Sequence, residues 1–179
     1  DVYKRQILNT DNLQRAINDC GADDILYVPA GNFLTGALRL HSDLEIYLAK
    51  GAVLQGTTNL HDYAPRIPSR FEGTEMRCYS SLLNAGDLNS KTGANCRNII
   101  LRGKGTICGG GQELARKIIE DEGARIKSFL DDNEELVKSC ENHDTIPGRV
   151  RPRLINLSNC ENVWISGLTL KNAPASYTH

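Results

Sequence analysis

The residues best suited to chemistry in this chain mostly lack the partners that chemistry needs. Glu141, His143 and Asp144 are metal-ligand types. No second cluster and no Cys/His spacing rule accompanies them, so a solvated loop accounts for them. Asp131-Asp132 is an adjacent acidic pair in a charge-rich stretch, where neighbouring carboxylates are commonplace. His41 and His61 stand singly beside turns, with no triad partner identifiable from sequence. No Gly-x-Ser-x-Gly elbow occurs. Gly103-Lys104-Gly105 and Gly109-Gly110-Gly111 suggest a nucleotide loop, but the spacing is not Gly-x-Gly-x-x-Gly and no Walker Lys-Ser/Thr follows. Tight turns between short strands explain these glycines better. The six cysteines contain no Cys-x-x-Cys pair, which disfavours a zinc ribbon. They could pair if the protein is secreted, although buried free thiols are the preferred reading.

The elements that would position any site emerge from an internal repeat. Asn95-Cys96-Arg97-Asn98-Ile99-Ile100-Leu101-Arg102-Gly103 matches Asn159-Cys160-Glu161-Asn162-Val163-Trp164-Ile165-Ser166-Gly167. The two lie 64 residues apart, and removing the dissimilar stretch at about 112–149 leaves about 26, close to one solenoid coil. Short strand-like runs at 25–29, 36–40, 44–48, 52–56, 82–85, 98–103, 105–110, 153–158, 162–167 and 168–172 alternate with turn residues. A sandwich or barrel also gives short strands. The near-repeat and the Asn-rich corners favour a solenoid, in which equivalent positions stack. Cys96 and Cys160 are then expected to be buried, unpaired and adjacent on neighbouring coils. Asn98 and Asn162 are expected to satisfy corner backbone groups.

A solenoid needs a covered end. Leu13, Ala16, Ile17 and Cys20 follow i, i+3, i+4, i+7 spacing, which predicts a capping helix over Asn9–Cys20. Asp11 with Gln14 reads as its capping box and Gly21 as its C-terminal stop. The insertion at 112–149 reads as a surface-lying helical segment, broken or bent at Gly123.

The whole-chain numbers fit this picture. The 179 residues carry a net charge of −1 and a pI of about 6.5, which argues against a globally basic nucleic-acid binder. No run of about 18 apolar residues is present, so no membrane span is expected. The start lacks a Met and an apolar leader region, so no signal peptide is visible.

In order along the chain stand "NTDNLQRAINDC", "YVPAGNFLTGALRLHSDLEIYLAKGAVLQGT", "HDYAP", "NIILRGKGTICGGG" and "RPRLINLSNCENVWISGLTLKNAPA". This succession resembles glycoside hydrolase family 28, the polygalacturonases and related pectin-degrading enzymes, over about Thr10 to Ala175 apart from the insertion. The resemblance implies an all-β, right-handed parallel β-helix with an N-terminal capping helix and a helical insertion. Residues 1–179 then form one partial domain, the N-terminal part of a longer catalytic domain. "DVYKRQ" at 1–6 and "SYTH" at 176–179 look like translated adapter sequence.

The family's catalytic acids lie on later coils, beyond residue 179, so no catalytic residue is assigned and the piece alone is expected to be inactive. Asn9-Thr10-Asp11 and Arg125-Ile126-Lys127 spell family motifs in the wrong places. The implied activity is inverting hydrolysis of α-1,4-galacturonan without metal or cofactor, with Arg70, Arg151 and Arg153 binding substrate carboxylates. Of these Arg151 is favoured, since it introduces a coil. His179 falls where the family places a His, whereas Ser176 stands where the family prefers Trp. The implied partner is an acidic polysaccharide, with no nucleic acid and no membrane. A β-helical polysaccharide lyase would show acidic clusters on turns for Ca²⁺, which are absent from the sequence. A non-enzymatic adhesin or tailspike module is the third reading.

Overall fold

A computed structural model describes residues 7–140 and 143–175; the side chains of His143 and Asp144, like Glu141 and His179, lie outside the described set. The chain climbs in coils. The first coil is β1 (Ile25–Val28), β2 (Gly31–Thr35) and β3 (Leu38–Arg39). The second is β4 (Leu44–Leu48), β5 (Ala52–Gly56) and β8 (Leu83–Gly86), interrupted by the hairpin β6 (Ile67–Phe71) and β7 (Thr74–Cys78). The third is β9 (Cys96–Gly103), β10 (Thr106–Cys108) and β11 (Ile155–Ser158), interrupted by the helices α2 (Gly111–Arg125), α3 (Lys127–Asp132) and α4 (Glu134–Ser139). β12 (Cys160–Ser166) and β13 (Thr169–Lys171) begin a fourth.

Equivalent strands pair in parallel in three sheets, ordered β1-β4-β9-β12, β2-β5-β10-β13 and β3-β8-β11. The expected stacking is therefore present, with Cys160 opposite Cys96 and Val163 opposite Ile99. Alternation decides which side chains fill the interior. In β4 Leu44, Ile46 and Leu48 are buried while Glu45 and Tyr47 face out. Leu44 stacks on Ile99, Ile46 on Leu101, Leu54 on Ile107, and Leu83 on Ile155. Each coil thus buries the apolar row of the one below, a gain of about 1.5–3 kcal/mol per large side chain.

Several local expectations change. All six cysteines are free thiols, but of the stacked pair only Cys96 is buried. Cys160 is half-exposed, and desolvation, with Cys96 adding to it, pushes its thiol up to about 11. Asn98 and Asn162 do not cap corner backbone groups as expected. They join side chain to side chain, Asn162 Nδ2 donating to Asn98 Oδ1 at 3.1 Å and Asn98 Nδ2 to Asp43 Oδ1 at 2.6 Å. All three residues have φ between 55° and 59°, a left-handed corner that Asn and Asp tolerate.

The N-terminal helix α1 spans Thr10–Asp19, and its inward residues are Ile17 with Leu13 beside it. Asp11 is not the cap. Asn9 holds that position without a side-chain cap bond. Gln14 makes no capping box, because its amide pairs with both backbone groups of Arg39, at 2.8 Å each. Thr10 Oγ1 accepts from the Gly36 amide at 2.8 Å. Tertiary bonds to the first coil have taken the groups that would have capped the helix. Gly21 is no left-handed stop either: Cys20 is already extended, and the Gly21 amide donates to Asp24 at 3.1 Å.

The insertion is not wholly surface-lying. α2 buries Leu114, Ala115, Ile118 and Glu122, while Phe129 and Leu136 further on are exposed. Gly123 lies inside α2 near Pro147, and the helix ends later, at Arg125.

Candidate functional site

Both interruptions leave the solenoid between the second and third sheets, one coil apart, and so pack on each other. The hairpin turns at Glu72-Gly73, both with positive φ (48° and 85°), the geometry of a tight two-residue hairpin loop. The helical insertion returns through a 3₁₀ segment, His143–Val150, directly into Arg151-Pro152-Arg153 and β11. The three described arginine candidates therefore meet at one corner.

Arg70, on β6, is exposed and paired with Glu75 at 2.7 Å. Arg153 is only 4% exposed. Its guanidinium lies 5.2 Å from the Phe71 ring centroid and donates to Cys78 Sγ at 3.6 Å and to the Arg70 carbonyl, while Nε has no partner among the described residues. At that burial Arg153 is not a solvated surface group. Arg153 ties the hairpin to the start of β11.

Arg151 is half-buried. Its Nε donates to the Gly148 carbonyl at 2.7 Å and its Nη1 to the Pro174 carbonyl at 3.3 Å. No carboxylate pairs with it among the described residues. Burial first, and then the Arg153 charge, pull its pKa below the usual guanidinium value against the opposite influence of Glu72. A partly desolvated cation held by carbonyls is well disposed to take an anion.

Beside this corner, the row Arg39, Asn84 and Asn156 crosses the third sheet in register, with both asparagines buried. Asn156 Oδ1 accepts from Ser69 of the hairpin at 3.2 Å. On the hairpin's other flank a cleft of about 670 Å³ opens, lined by Arg66, Arg77, Tyr79, Glu122 and Arg125 among others. Here Glu122 takes Arg66 at 2.5 Å and Arg125 at 2.6 Å, and Tyr79 Oη donates to Asp121 at 3.1 Å. The Arg66 guanidinium also lies 4.6 Å from the Tyr79 ring centroid. Arg125 and Lys127, the ends of the misplaced motif, are spent on Glu122 and Asp131.

This bridge locks the insertion onto the hairpin. The Arg125 hydrogen bonds, followed by the one from Arg66, hold the Glu122 carboxyl down at about 2 despite its burial. A folded-state pKa below the ordinary value means that ionised Glu122 stabilises the fold above about pH 4.5. That contribution fades as the pH falls towards 2. Glu122→Gln is therefore expected to cost about 2 kcal/mol at neutral pH, discounted because Arg125 is mostly exposed. The gap between variant and wild type should close between about pH 4.5 and 2 in urea titrations. A gap independent of pH would remove the ion pair as its cause.

The hairpin, Arg66, Arg77, Glu122 and the Asp43 rung were not anticipated from sequence. The signals existed. Glu72-Gly73 sits between alternating runs (Ile67, Ser69, Phe71 and Thr74, Met76, Cys78), and Asp43-Leu44 occupies the Asn98-Ile99 place in the repeat.

No protein-family model matches the chain. It is 32% identical to an exo-poly-α-D-galacturonosidase of Dickeya chrysanthemi, over 95% of this chain and 30% of that protein. A Yersinia enterocolitica family 28 exopolygalacturonase structure superposes with a TM-score of 0.71 at 27% identity, covering 94% of this chain and 33% of the other. A hyperthermoactive exopolygalacturonase from Thermotoga maritima superposes with a TM-score of 0.67 at 22% identity, covering 94% and 39%. The chain spans about a third of the length of these relatives.

Proposed function

We propose that this chain forms the amino-terminal coils of a family 28 glycoside hydrolase cleaving the α-1,4-galacturonosidic bonds of pectin. The observation that carries this reading is the resemblance to family 28 polygalacturonases along nearly the whole chain, in sequence and in coil geometry. The arginine corner supports it chemically, because galacturonan presents a carboxylate on each sugar and Arg151 has no carboxylate partner among the described residues. On β12 apolar Val163 is part-exposed and Ile165 exposed, a cross-section that a further coil would cover.

In inverting hydrolysis one carboxylic acid protonates the leaving oxygen while carboxylates opposite activate water across a gap that admits it. Those acids are assigned to later coils. This chain's part is to bind and orient: Arg151 and exposed Arg70 engage substrate carboxylates, and buried Arg153 holds Arg70's hairpin in place. His179 remains a substrate-binding candidate, and residues 1–179 a single partial domain.

The test is to express the chain continued by its downstream coils and incubate it with polygalacturonate. Saturated galacturonate products with inverted anomeric configuration by NMR are expected. Unsaturated uronide ends would indicate β-elimination, and no cleavage at all would leave a binding module; either result overturns the hydrolase reading.

A further inference from the structure

The outer face of the first sheet carries a group that the arginine corner does not use. Tyr27, Tyr47 and Arg102 occupy one row across β1, β4 and β9. The two rings stack at 5.8 Å with planes 8° apart, and the Arg102 guanidinium lies 4.9 Å from the Tyr47 centroid. Side by side they form a wall on the outer face, with Tyr27 exposed and Tyr47 part-exposed. Exposed Lys50 and Lys104 stand at the strand ends, and with Ile25 and Ala49 these residues line a groove of about 570 Å³. Arg102 is held at 2.5 Å by Glu45. Among the described residues, neither lysine ammonium and neither phenol oxygen has a hydrogen-bond partner. In the neighbouring row Trp164 is 65% exposed.

A soluble protein gains nothing in stability from leaving Ile25, Tyr27 and Trp164 in water, so the face is suited to an occupant. Three cations against one already engaged carboxylate make that occupant an anion. Aromatic edges and free hydroxyls beside ammonium groups suit a sugar that carries carboxylates, giving each sugar a polar and an apolar contact. We infer that the Tyr27–Tyr47–Arg102 wall with Lys50 and Lys104 is a surface binding site for an acidic oligosaccharide of galacturonate type. It lies on a different sheet from the arginine corner. The inference rests on the galacturonan reading above, and its role is to hold a polymer against the protein.

The probe is native-gel retardation in polygalacturonate, using the chain continued by its downstream coils, with fully methyl-esterified pectin as the uncharged control. The Lys50→Glu/Lys104→Glu double variant and Tyr47→Ala should each weaken retardation about tenfold, and salt should erase it. Both lysines are exposed, so folding is retained and circular dichroism verifies it. Cleavage of a trigalacturonate should be unchanged in the lysine variant, while KM for polymer rises severalfold. Retardation equal to wild type, or equal loss on the esterified control, overturns the inference. Failure to cleave either substrate while lysine-dependent retardation persists overturns the hydrolase reading and leaves this site standing.

Discussion

Gly103→Ala is expected to destabilise the fold by about 4 kcal/mol, a large share of the 5–15 kcal/mol that holds a domain together. Gly103 has φ of +130°, a region L side chains rarely enter, which costs about 1–3 kcal/mol. An added Cβ would also lie 2.1 Å from the Leu48 carbonyl oxygen and 2.9 Å from the Leu48 nitrogen. These are backbone atoms of β4, not the movable tip of a side chain. The same oxygen accepts the Lys104 amide at 2.9 Å and the Gly105 amide at 3.2 Å. Relieving the clash therefore means separating two coils, at a further cost of about 1–3 kcal/mol. Gly73 supplies the control. It too has positive φ, at +85°, yet nothing lies within 4 Å of an added Cβ, so Gly73→Ala should cost about 1 kcal/mol. Urea denaturation followed by circular dichroism separates the two. Equal losses at both sites would mean that the stacking of β9 on β4 is misplaced.

Arg151→Leu is expected to lower kcat/KM on polygalacturonate about 100-fold in the active, extended polypeptide, roughly 2.7 kcal/mol of lost transition-state stabilisation. The side chain is tethered by Nε and Nη1 to two carbonyls, and among the described residues no carboxylate neutralises its charge. A substrate carboxylate would complete its coordination. Arg151→Lys keeps the charge but loses the planar fork, and should recover only part of the rate. On methyl-esterified substrate the wild-type advantage should shrink, because the partner charge is gone. A Leu variant equally impaired on both substrates, or one whose melting temperature falls in step with activity, would make Arg151 a structural tether only.

Much of the scaffold was legible because a solenoid repeats its chemistry. The match of Asn95–Gly103 to Asn159–Gly167 predicted the pairing of β9 with β12 residue for residue. The stretch 112–149 was recognised as helical because its apolar spacing breaks the period of two. What failed was local punctuation. Asp11 and Gln14 carried a capping signature, yet Gln14 bonds Arg39 in the first coil, since a tertiary partner with two backbone groups outcompetes a cap. Gly123 predicted a break, yet its small side lies near Pro147 where α2 packs, and packing overrides a propensity of about 1 kcal/mol. β2 went unseen because Gly31 and Asn32 look like turn residues until β5 lies beside them.

The site divides in the same way. Sequence alone determined that Arg70, Arg151 and Arg153 are permanently charged, that Arg151 and Arg153 precede a strand, and that the strands alternate so as to stack. Only the tertiary structure decided that Arg70, 81 or more residues away in the chain from the other two, shares a corner with them. It also made one of these like charges a buried prop, one an ion-paired surface group and one a half-buried cation that no described carboxylate pairs. The reason is physical. Charge and alternation belong to single residues and short windows, whereas burial and pairing depend on where two insertions, leaving the solenoid one coil apart, come to rest against each other.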